Sequence, residues 1–295
     1  MPSAPTPTRV SHGLPVGWGG APAGIGSGAS SGSGVAVGSN DMAFRVVILG
    51  GTSDGRQLAE RLALDPRYGV VLSFAGRTRS LQLPPVPCRV GGFGGVEGLV
   101  EYLRRESCQA LIDATHPFAA QMSLHAVRAV EQTGTPLLRV ECPAWQRAAG
   151  DRWREVPDME QAVAALGQAP RRVFSSVGRL EVEAFRAAPQ HHYLLRAVDE
   201  FSIELPHARV LAARGPFDVA GERELFERER VELIVSKNAG TAATYAKIEA
   251  ARALGLPVVM LARPVLPPAP TVAMWQSALD WLDRLHGAGA SRRGV

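Results

Sequence analysis

The sequence has few cysteines, no long apolar run and no cluster of metal-binding side chains. Its 295 residues include three cysteines, Cys88, Cys108 and Cys142, and none belongs to a CxxC pair. This odd, scattered set argues against a disulfide framework and a zinc knuckle. No run approaches the ~18 apolar residues of a membrane-spanning helix. We therefore expect a cytoplasmic protein without a metal site and without a membrane span.

The sequence also has no block of charges of one sign. Lysine and arginine total 32 and the acidic residues total 28, so the formal net charge is only +4. A nucleic-acid-binding protein usually concentrates its basic residues in one patch. A small acidic ligand accounts for the excess equally well, and we expect no nucleic-acid partner.

Residues 1–41 have little charge and little apolar content. They are rich in Gly, Ser, Ala and Pro, and their charged side chains are Arg9 and Asp41. Such a segment cannot bury enough surface to offset the entropy of ordering it. The composition predicts a disordered low-complexity tail over residues 1–41, with Met42 as the expected functional start. A basic region followed by an apolar one, as in a signal peptide, is missing.

From Met42 onward, apolar runs alternate with amphipathic segments. The first series of predicted strands is Phe44–Leu49, Val70–Ala75, Cys88–Val90, Ala110–Asp113 and Pro136–Val140. The helices predicted in this series are Arg56–Leu64, Val96–Glu106 and Phe118–Gln132. Strands that are apolar throughout and alternate with helices are typical of a parallel sheet covered on both faces.

The pattern then restarts after a segment, Cys142–Pro157, that reads as irregular. The second series of predicted strands is Arg172–Ser175, Tyr193–Arg196, Arg209–Ala213, Leu233–Ser236 and Val258–Leu261. Its helices are Leu180–Ala187, Gly221–Glu229 and Thr241–Leu254, and Met274–His286 follows the Pro-rich Pro264–Pro270 stretch. We predict an α/β protein with two Rossmann-like domains, residues 42–141 and 142–295, each an open parallel sheet flanked by helices.

The first predicted strand ends in a glycine turn, Gly50-Gly51-Thr52-Ser53. Gly50 and Gly55 match the first and last glycines of the G-x-G-x-x-G dinucleotide motif, and Thr52 stands at the middle one. Glycine lets the backbone approach a phosphate, and the helix N-terminus that follows favours the anion. These four residues are predicted to bind the phosphates of a nucleotide. Asp54 reads as the N-cap of the helix.

The second predicted strand ends in Ala75-Gly76-Arg77-Thr78-Arg79 and carries no acid. NAD-binding domains place Asp or Glu here for the ribose hydroxyls. Two guanidinium groups and a hydroxyl suit a 2′-phosphate instead, because arginine holds phosphate through two parallel hydrogen bonds. Arg77, Thr78 and Arg79 therefore predict NADPH as the cofactor; the alternative is a solvated basic loop.

Two further loops of the first series are candidate ligand contacts. Gly92 and Phe93 belong to a run of four glycines around one aromatic residue. Such a run allows a ligand to approach the backbone closely; the alternative is a flexible surface loop. Thr115 and His116 follow the fourth strand, where a doubly wound sheet has its ligand crevice. They are predicted to lie near the nicotinamide or the substrate.

The strand ends of the second series collect cations, amides and hydroxyls. The residues concerned are Ser175, Ser176, Arg179, Arg196, Arg214, Lys237, Asn238 and Arg263. Ligands of open α/β sheets bind at the carboxyl ends of strands, so this set suits a substrate with several carboxylates. Lys237 follows a buried strand, as an anion-binding or catalytic lysine would. The alternative is a set of scattered surface cations.

Five motifs together resemble the precorrin-6A reductase family of cobalamin biosynthesis. They are Ile48–Thr52 with Gly55-Arg56, Ala75–Thr78, Gly91–Gly95, Ala114–Ala119 and Ser236-Lys237-Asn238. The resemblance extends from Phe44 to the final helix. It departs from the family at Ser175–Gly178, a variant of a Thr-Thr-Gly turn, and at Ala239, where serine is frequent.

The resemblance implies that NADPH reduces precorrin-6A to precorrin-6B. It assigns Gly50, Gly51, Thr52 and Ser53 to the pyrophosphate, Arg77, Thr78 and Arg79 to the adenosine end, and Thr115 and His116 to the nicotinamide. It assigns Ser176, Arg214, Lys237 and Asn238, with His116, to the tetrapyrrole. Lys237 and His116 are the candidate proton donors, and water is a third.

Several alternatives stay open at this point. The substrate could be the cobalt-precorrin-6A of the anaerobic route, or the chain could be a nucleotide sensor without turnover. A short-chain reductase or epimerase would carry Tyr-x-x-x-Lys, but Tyr245 is followed by Lys247. We expect a monomer.

Overall fold

The computed structural model describes residues 43–76 and 83–293 and contains two six-stranded sheets. Every strand pair within these residues is parallel. Buried apolar clusters cover both faces of each sheet. This architecture confirms the predicted α/β class with two Rossmann-like parallel sheets. The predicted tail over residues 1–41 lies outside the described residues, and the division of the chain near residue 141 stays a prediction.

The first sheet is built mainly from the first half of the chain. Its elements are β1 (Phe44–Leu49), α1 (Ser53–Leu62), β2 (Tyr68–Phe74), β3 (Cys88–Val90), α2 (Gly95–Arg105), β4 (Ala110–Asp113), α3 (Ala120–Thr133) and β5 (Leu137–Val140). All four residues of β4 are buried, as expected of a central strand between two layers of helices. This burial explains why the strand lacks an alternating pattern.

The second sheet follows in the chain. Its elements are β6 (Arg152–Val156), α4 (Met159–Ala164), β7 (Arg172–Ser175), a 3₁₀ helix (Val182–Ala187), β8 (His192–Ala197), β9 (Ala208–Ala212), α5 (Val219–Arg228), β10 (Leu233–Lys237), a second 3₁₀ helix (Ala242–Thr244), α6 (Ala246–Ala253) and β11 (Pro257–Leu261). The chain ends with β12 (Thr271–Val272) and α7 (Trp275–Arg293).

The prediction that Cys142–Pro157 is irregular is wrong for its last part. Residues 152–156 form β6, which pairs with β11 at the edge of the second sheet. Three of its five residues are exposed, and two of those are arginines. An edge strand needs no continuous apolar run, and so the pattern that identified the central strands missed this one.

The end of the chain returns to the first sheet. Strand β12, which the Pro-rich pattern concealed, pairs with β5. Helix α7 packs against the same apolar cluster as β1 and α1, through Ala278 and Leu282, both fully buried. The last strand and helix therefore stabilise the first sheet, although they follow the second one in sequence.

Both sheets reverse their strand order at one point. The first has the order β12-β5-β4-β1-β2-β3 and the second β6-β11-β10-β7-β8-β9. In the first sheet the chain proceeds outward from β1 on one side and then on the other. In the second sheet it does the same around β7, except that the first strand of that sheet, β6, lies at the far edge beside β11. Crevices form beyond the carboxyl ends of strands at such reversals. We call the ends of β1 and β4 the first switch point, and the ends of β7 and β10 the second switch point.

Candidate active site

The glycine turn after β1 packs closely against the loop after β4. Gly51 has φ +148°, and a Cβ added to it would lie 3.4 Å from the backbone nitrogen of His116. A Cβ on Gly50 would lie 2.9 Å from Leu72 Cδ1 and 3.3 Å from the carbonyl oxygen of Ser73. Both positions therefore favour glycine, and the structure brings the predicted phosphate turn together with His116 at the first switch point.

Thr52 is the N-cap of α1, so the prediction of Asp54 as N-cap is wrong. The Thr52 hydroxyl accepts from the backbone N–H of Gly55 at 3.2 Å and donates to the Ala114 carbonyl at 2.9 Å. Asp54 lies in the first turn of the helix instead. Ser53 is exposed at the helix start. The Thr52 hydroxyl is thus already engaged. The groups left for an anion are chiefly the backbone N–H groups of the first turn, which have no partner within the helix.

Thr115 is held by a buried carboxylate at the end of β4. Asp113 Oδ1 accepts from the Thr115 hydroxyl at 2.7 Å and from its backbone N–H at 3.2 Å. Asp113 Oδ2 lies 3.3 Å from Arg139 Nε, and Arg139 also donates to the carbonyl of Pro267 at 3.0 Å. This chain of contacts fixes Thr115 beside the glycine turn.

His116 is a neutral imidazole over most of the pH range. Burial, together with the positive charges of Lys237 and Arg263, lowers the pKa of His116 to about 4. Its Nδ1 accepts from the backbone N–H of Phe118 at 3.2 Å, so the proton of the neutral ring is on Nε2. His116 can thus donate a hydrogen bond to a ligand, but it carries no second proton to give at neutral pH.

The glycine-rich loop after β3 is shaped by an arginine. The Arg89 guanidinium stacks on the Phe93 ring, 3.9 Å from its centroid, and donates to the carbonyls of Gly91 and Gly92. The Phe93 carbonyl takes the space that a side chain at residue 98 would fill. The loop is thereby ordered by its own contacts, and Gly92 at its surface is exposed.

Arg77, Thr78 and Arg79 lie outside the described residues, and their predicted contact with the adenosine end stays a prediction. The residue before them is described. Gly76 has φ +73°, and an added Cβ would lie 3.6 Å from the Gly91 nitrogen. Gly76 itself therefore lies beside the start of the glycine-rich loop.

Lys237 ends β10 at the second switch point and faces residues of both sheets. Its Nζ lies 2.5 Å from Glu181 Oε1 and 5.0 Å from the centroid of the Phe118 ring. Phe118 follows β4 in the first sheet, so residues of the two switch points lie next to each other at this lysine. Glu181 was missed at the level of sequence, because it stands outside any motif or periodic pattern and meets Lys237 only in the folded chain.

Asn238 has a different environment from the one predicted. Its side chain is buried; Oδ1 accepts from the Trp145 N–H at 2.7 Å, and Nδ2 donates to the Trp145 carbonyl at 3.0 Å. The amide therefore anchors the segment that leads into β6. A direct contact of Asn238 with substrate stays a prediction and would require one of these hydrogen bonds to break.

Ser176 and Arg214 stand in loops that follow β7 and β9. Ser176 is half-buried, and its backbone N–H donates to the Val235 carbonyl at 3.2 Å on the neighbouring β10. Arg214 is exposed in the loop after β9, the edge strand of the sheet. That loop folds back, since the Phe217 N–H donates to the Ala243 carbonyl at 3.2 Å. Their contact with substrate stays a prediction.

Two arginines counted among the cations at strand ends have internal partners. Arg196 is buried, pairs with Glu222 at 2.6 Å and stacks 3.8 Å from the centroid of Phe217. Arg263 pairs with Glu141 at 2.8 Å and donates to three backbone carbonyls, those of Cys142, Asn238 and Ala239. Both guanidinium groups therefore stabilise the scaffold, and a contact of either with substrate carboxylates stays a prediction.

Within residues 43–76 and 83–293, no group of three or more His, Cys, Asp or Glu side chains is arranged to hold a metal ion. The helices of the same residues are all too short or too polar to cross a bilayer.

Comparison with known proteins gives the chain a family. Residues 45–283 match the model of the precorrin-6x reductase family, CbiJ/CobK. The precorrin-6A reductase of Rhodobacter capsulatus is 51% identical over 253 residues, which are 85% of this chain and 99% of the relative. The precorrin-6A reductase of a Sinorhizobium species is 44% identical, over 80% of this chain and 91% of the relative.

More distant and structural relatives agree with this result. The cobalt-precorrin-6A reductase of Priestia megaterium is 28% identical, over 74% of this chain and 90% of the relative. A solved structure of a CobK precorrin-6A reductase has a TM-score of 0.77 and 50% identity, over 82% of this chain and 96% of that one. The family predicted from the five motifs is confirmed: the chain belongs to the precorrin-6x reductases and is an oxidoreductase.

Proposed function

We propose that this enzyme reduces precorrin-6A to precorrin-6B in cobalamin biosynthesis, with NADPH as the reductant. The observation that carries the proposal is the first switch point. A side chain at Gly50 or Gly55 would clash with its neighbours, and Gly51 has φ +148°, so this turn requires glycine, as does the turn that binds a dinucleotide. The chain belongs to a reductase family, and a reductase needs a site of this kind for its reductant.

The residues of the first switch point fit a dinucleotide. The backbone of Gly51, Thr52 and Ser53 would hold the pyrophosphate at the N-terminus of α1, where the helix dipole favours an anion. Thr115 and His116 would border the nicotinamide, and Gly92 and Phe93 the adenosine side. Bound NADPH would supply a hydride to one carbon of a macrocycle double bond.

The protein's own task is to place the macrocycle and to manage its charge. Lys237 Nζ would pair with an acetate or propionate side chain of the tetrapyrrole, and Ser176, Arg214 and Asn238 would contact its periphery. The neighbouring carbon needs a proton, for which Lys237 Nζ and a water molecule are candidate donors. Neutral His116 would instead donate a hydrogen bond from Nε2 and orient the ring beside it.

The metal-free substrate is favoured by degree of similarity. The curated relatives named for precorrin-6A are 42% to 51% identical to this chain, whereas those named for cobalt-precorrin-6A are 26% to 28% identical. We also propose a cytoplasmic monomer; light scattering coupled to gel filtration tests the oligomeric state.

One experiment tests the activity. The protein is incubated with precorrin-6A and NADPH, and the NADPH absorbance is followed together with the tetrapyrrole spectrum. We expect stoichiometric oxidation and conversion, and slower conversion of cobalt-precorrin-6A. NADPH binding without oxidation in the presence of precorrin-6A would instead identify a nucleotide sensor.

A second experiment tests the cofactor preference. Arg77→Ala is compared with wild type using NADPH and NADH, with Arg61→Ala on the exposed side of α1 as the matched control. We expect Arg77→Ala to lose most of its preference for NADPH, because the 2′-phosphate loses a bidentate partner. An unchanged preference would mean that another residue reads this phosphate.

A further inference from the structure

Glu181 lies at the second switch point but has no part in the function proposed above. Its carboxylate and the ammonium of Lys237 are 2.5 Å apart, and both side chains are largely shielded from solvent. The space of a side chain at Gly178 is taken by the Glu181 carboxylate, and an added Cβ there would also lie 3.6 Å from Lys237 Nζ. The fold thus makes room for this ion pair.

This pair conflicts with binding of an anionic ligand at Lys237. A ligand carboxylate that reached Nζ would meet the carboxylate of Glu181 within the same few ångströms. Two like charges at such a distance repel strongly in a partly shielded cleft. Either the ligand stays away from Lys237 or Glu181 gives up its place.

Of the two partners, Glu181 is the one that is free to leave. Lys237 is the last residue of β10, held between β7 and β11, and its side chain is 14% exposed. Glu181 lies in the turn before the Val182–Ala187 helix, and its side chain is 32% exposed. The preceding Leu180 is 71% exposed, so this turn lies at the surface, and rotation of the Glu181 side chain would carry its carboxylate into solvent.

We propose that Glu181 occupies Lys237 as a stand-in for a substrate carboxylate and is exchanged for that carboxylate when the tetrapyrrole binds. Glu181 is then a residue that sets the affinity for substrate, although it does not take part in the reduction. The pair keeps a shielded lysine charge compensated in the free enzyme. This inference rests on the proposed function, since it needs a polycarboxylate substrate at Lys237.

Equilibrium binding of precorrin-6A without NADPH tests the exchange. We expect Glu181→Gln to bind precorrin-6A about fivefold more tightly than wild type, because the substrate no longer has to displace a charged partner in a partly exposed pair. The matched control is Glu183→Gln, two residues further along the chain. It removes the same charge, but from an exposed ion pair with Arg186. Its affinity should stay within about twofold of wild type.

A double-mutant cycle makes the test specific to Lys237. Lys237→Gln should bind precorrin-6A more weakly than wild type, and adding Glu181→Gln to it should bring no further gain. A general change in surface potential would tighten binding on both backgrounds. Glu181→Asp, which keeps the charge but withdraws the carboxylate, should tighten binding less than Glu181→Gln and serves as the second variant.

The outcomes separate this inference from the proposed function. If Glu181→Gln binds no more tightly than Glu183→Gln, or if its gain persists without Lys237, the exchange is wrong while wild-type turnover still supports the reductase. If wild type neither binds nor reduces precorrin-6A, the proposed function and the exchange are both wrong.

Discussion

At the first switch point a regular helix of 10 residues begins four positions after β1 ends. At the second switch point β7 is followed by an irregular segment and a 3₁₀ helix, and β10 by another short 3₁₀ helix. The two sheets reverse their strand order in the same way at β1 and at β7, yet the first switch point presents glycines and backbone N–H groups, and the second presents the side chains of Lys237 and Glu181. The two switch points therefore offer different groups to a ligand.

The difference matches the two ligands that a reductase of this family must hold. A pyrophosphate is common to all dinucleotides, so main-chain groups at a helix N-terminus suffice to bind it. A tetrapyrrole with several carboxylates needs charges at particular positions, which only side chains supply. In the exchange proposed above, Glu181 occupies the side chain of Lys237 until the ligand arrives.

The largest expected effect separates the two switch points directly. Gly51→Val should weaken NADPH binding by at least about 100-fold, or about 2.7 kcal/mol, because φ +148° and the nearby His116 backbone both disfavour a β-branched side chain. Precorrin-6A affinity should change little. Calorimetric titration with each ligand measures both values.

The matched control is Gly134→Val, which also places a side chain at positive φ, +70°, but in open space at the end of α3. It should cost stability and leave NADPH affinity unchanged. Equal NADPH binding by wild type and Gly51→Val would show that the turn does not hold the cofactor.

The scaffold of the second switch point should depend on one guanidinium. Arg263→Ala removes the ion pair with Glu141 and the hydrogen bonds to Cys142, Asn238 and Ala239. We expect the free energy of unfolding to fall by about 2.5 kcal/mol, since buried carbonyls lose their partners. Urea unfolding measures the loss. The exposed Arg154→Ala on β6 is the control, with an expected change of about 0.5 kcal/mol or less.

The lowered pKa of His116 should make the stability of the protein depend on pH. This pKa is lowered from 6.5 to about 4, so between these values the unfolded chain binds a proton that the folded chain does not. Stability should therefore fall as the pH drops from about 6.5 towards 4, by about 2 kcal/mol after allowance for partial exposure. His116→Asn should flatten this part of the pH profile.

A second measurement links the two regions. Lys237→Gln removes a positive charge that lowers the pKa of His116, so NMR titration should give a higher His116 pKa in this variant. The spectrum of His116→Asn assigns the resonance. An unchanged pKa would mean that the charge of Lys237 does not reach the imidazole, and that burial and Arg263 control the pKa of His116.

The smallest expected effect concerns the N-cap of α1. Thr52→Ala should lower the free energy of unfolding by about 1 kcal/mol, because the Gly55 N–H and the Ala114 carbonyl both lose a partner. Thr52→Ser keeps the hydroxyl and should stay close to wild type. Thermal or urea unfolding distinguishes the two variants; equal loss in both would assign the effect to the methyl group.

Much of this protein follows from local sequence. The turn Gly50–Ser53, the strands that are apolar throughout and the five family motifs predicted the fold class and the family. They could do so because glycine at a turn and continuous apolar runs in central strands are dictated by backbone conformation and burial, which act within a few residues. Strand β6 escaped prediction because an exposed edge strand lacks that signature.

Tertiary structure alone decided how the polar side chains are used. Asn238 anchors Trp145, Arg263 spans Glu141 and the loop after β10, Glu181 meets Lys237, and β12 returns to the first sheet. Each of these contacts joins residues that are distant in sequence. A buried polar group takes whichever partner the fold brings within hydrogen-bond distance, and residue type by itself does not say which partner that is.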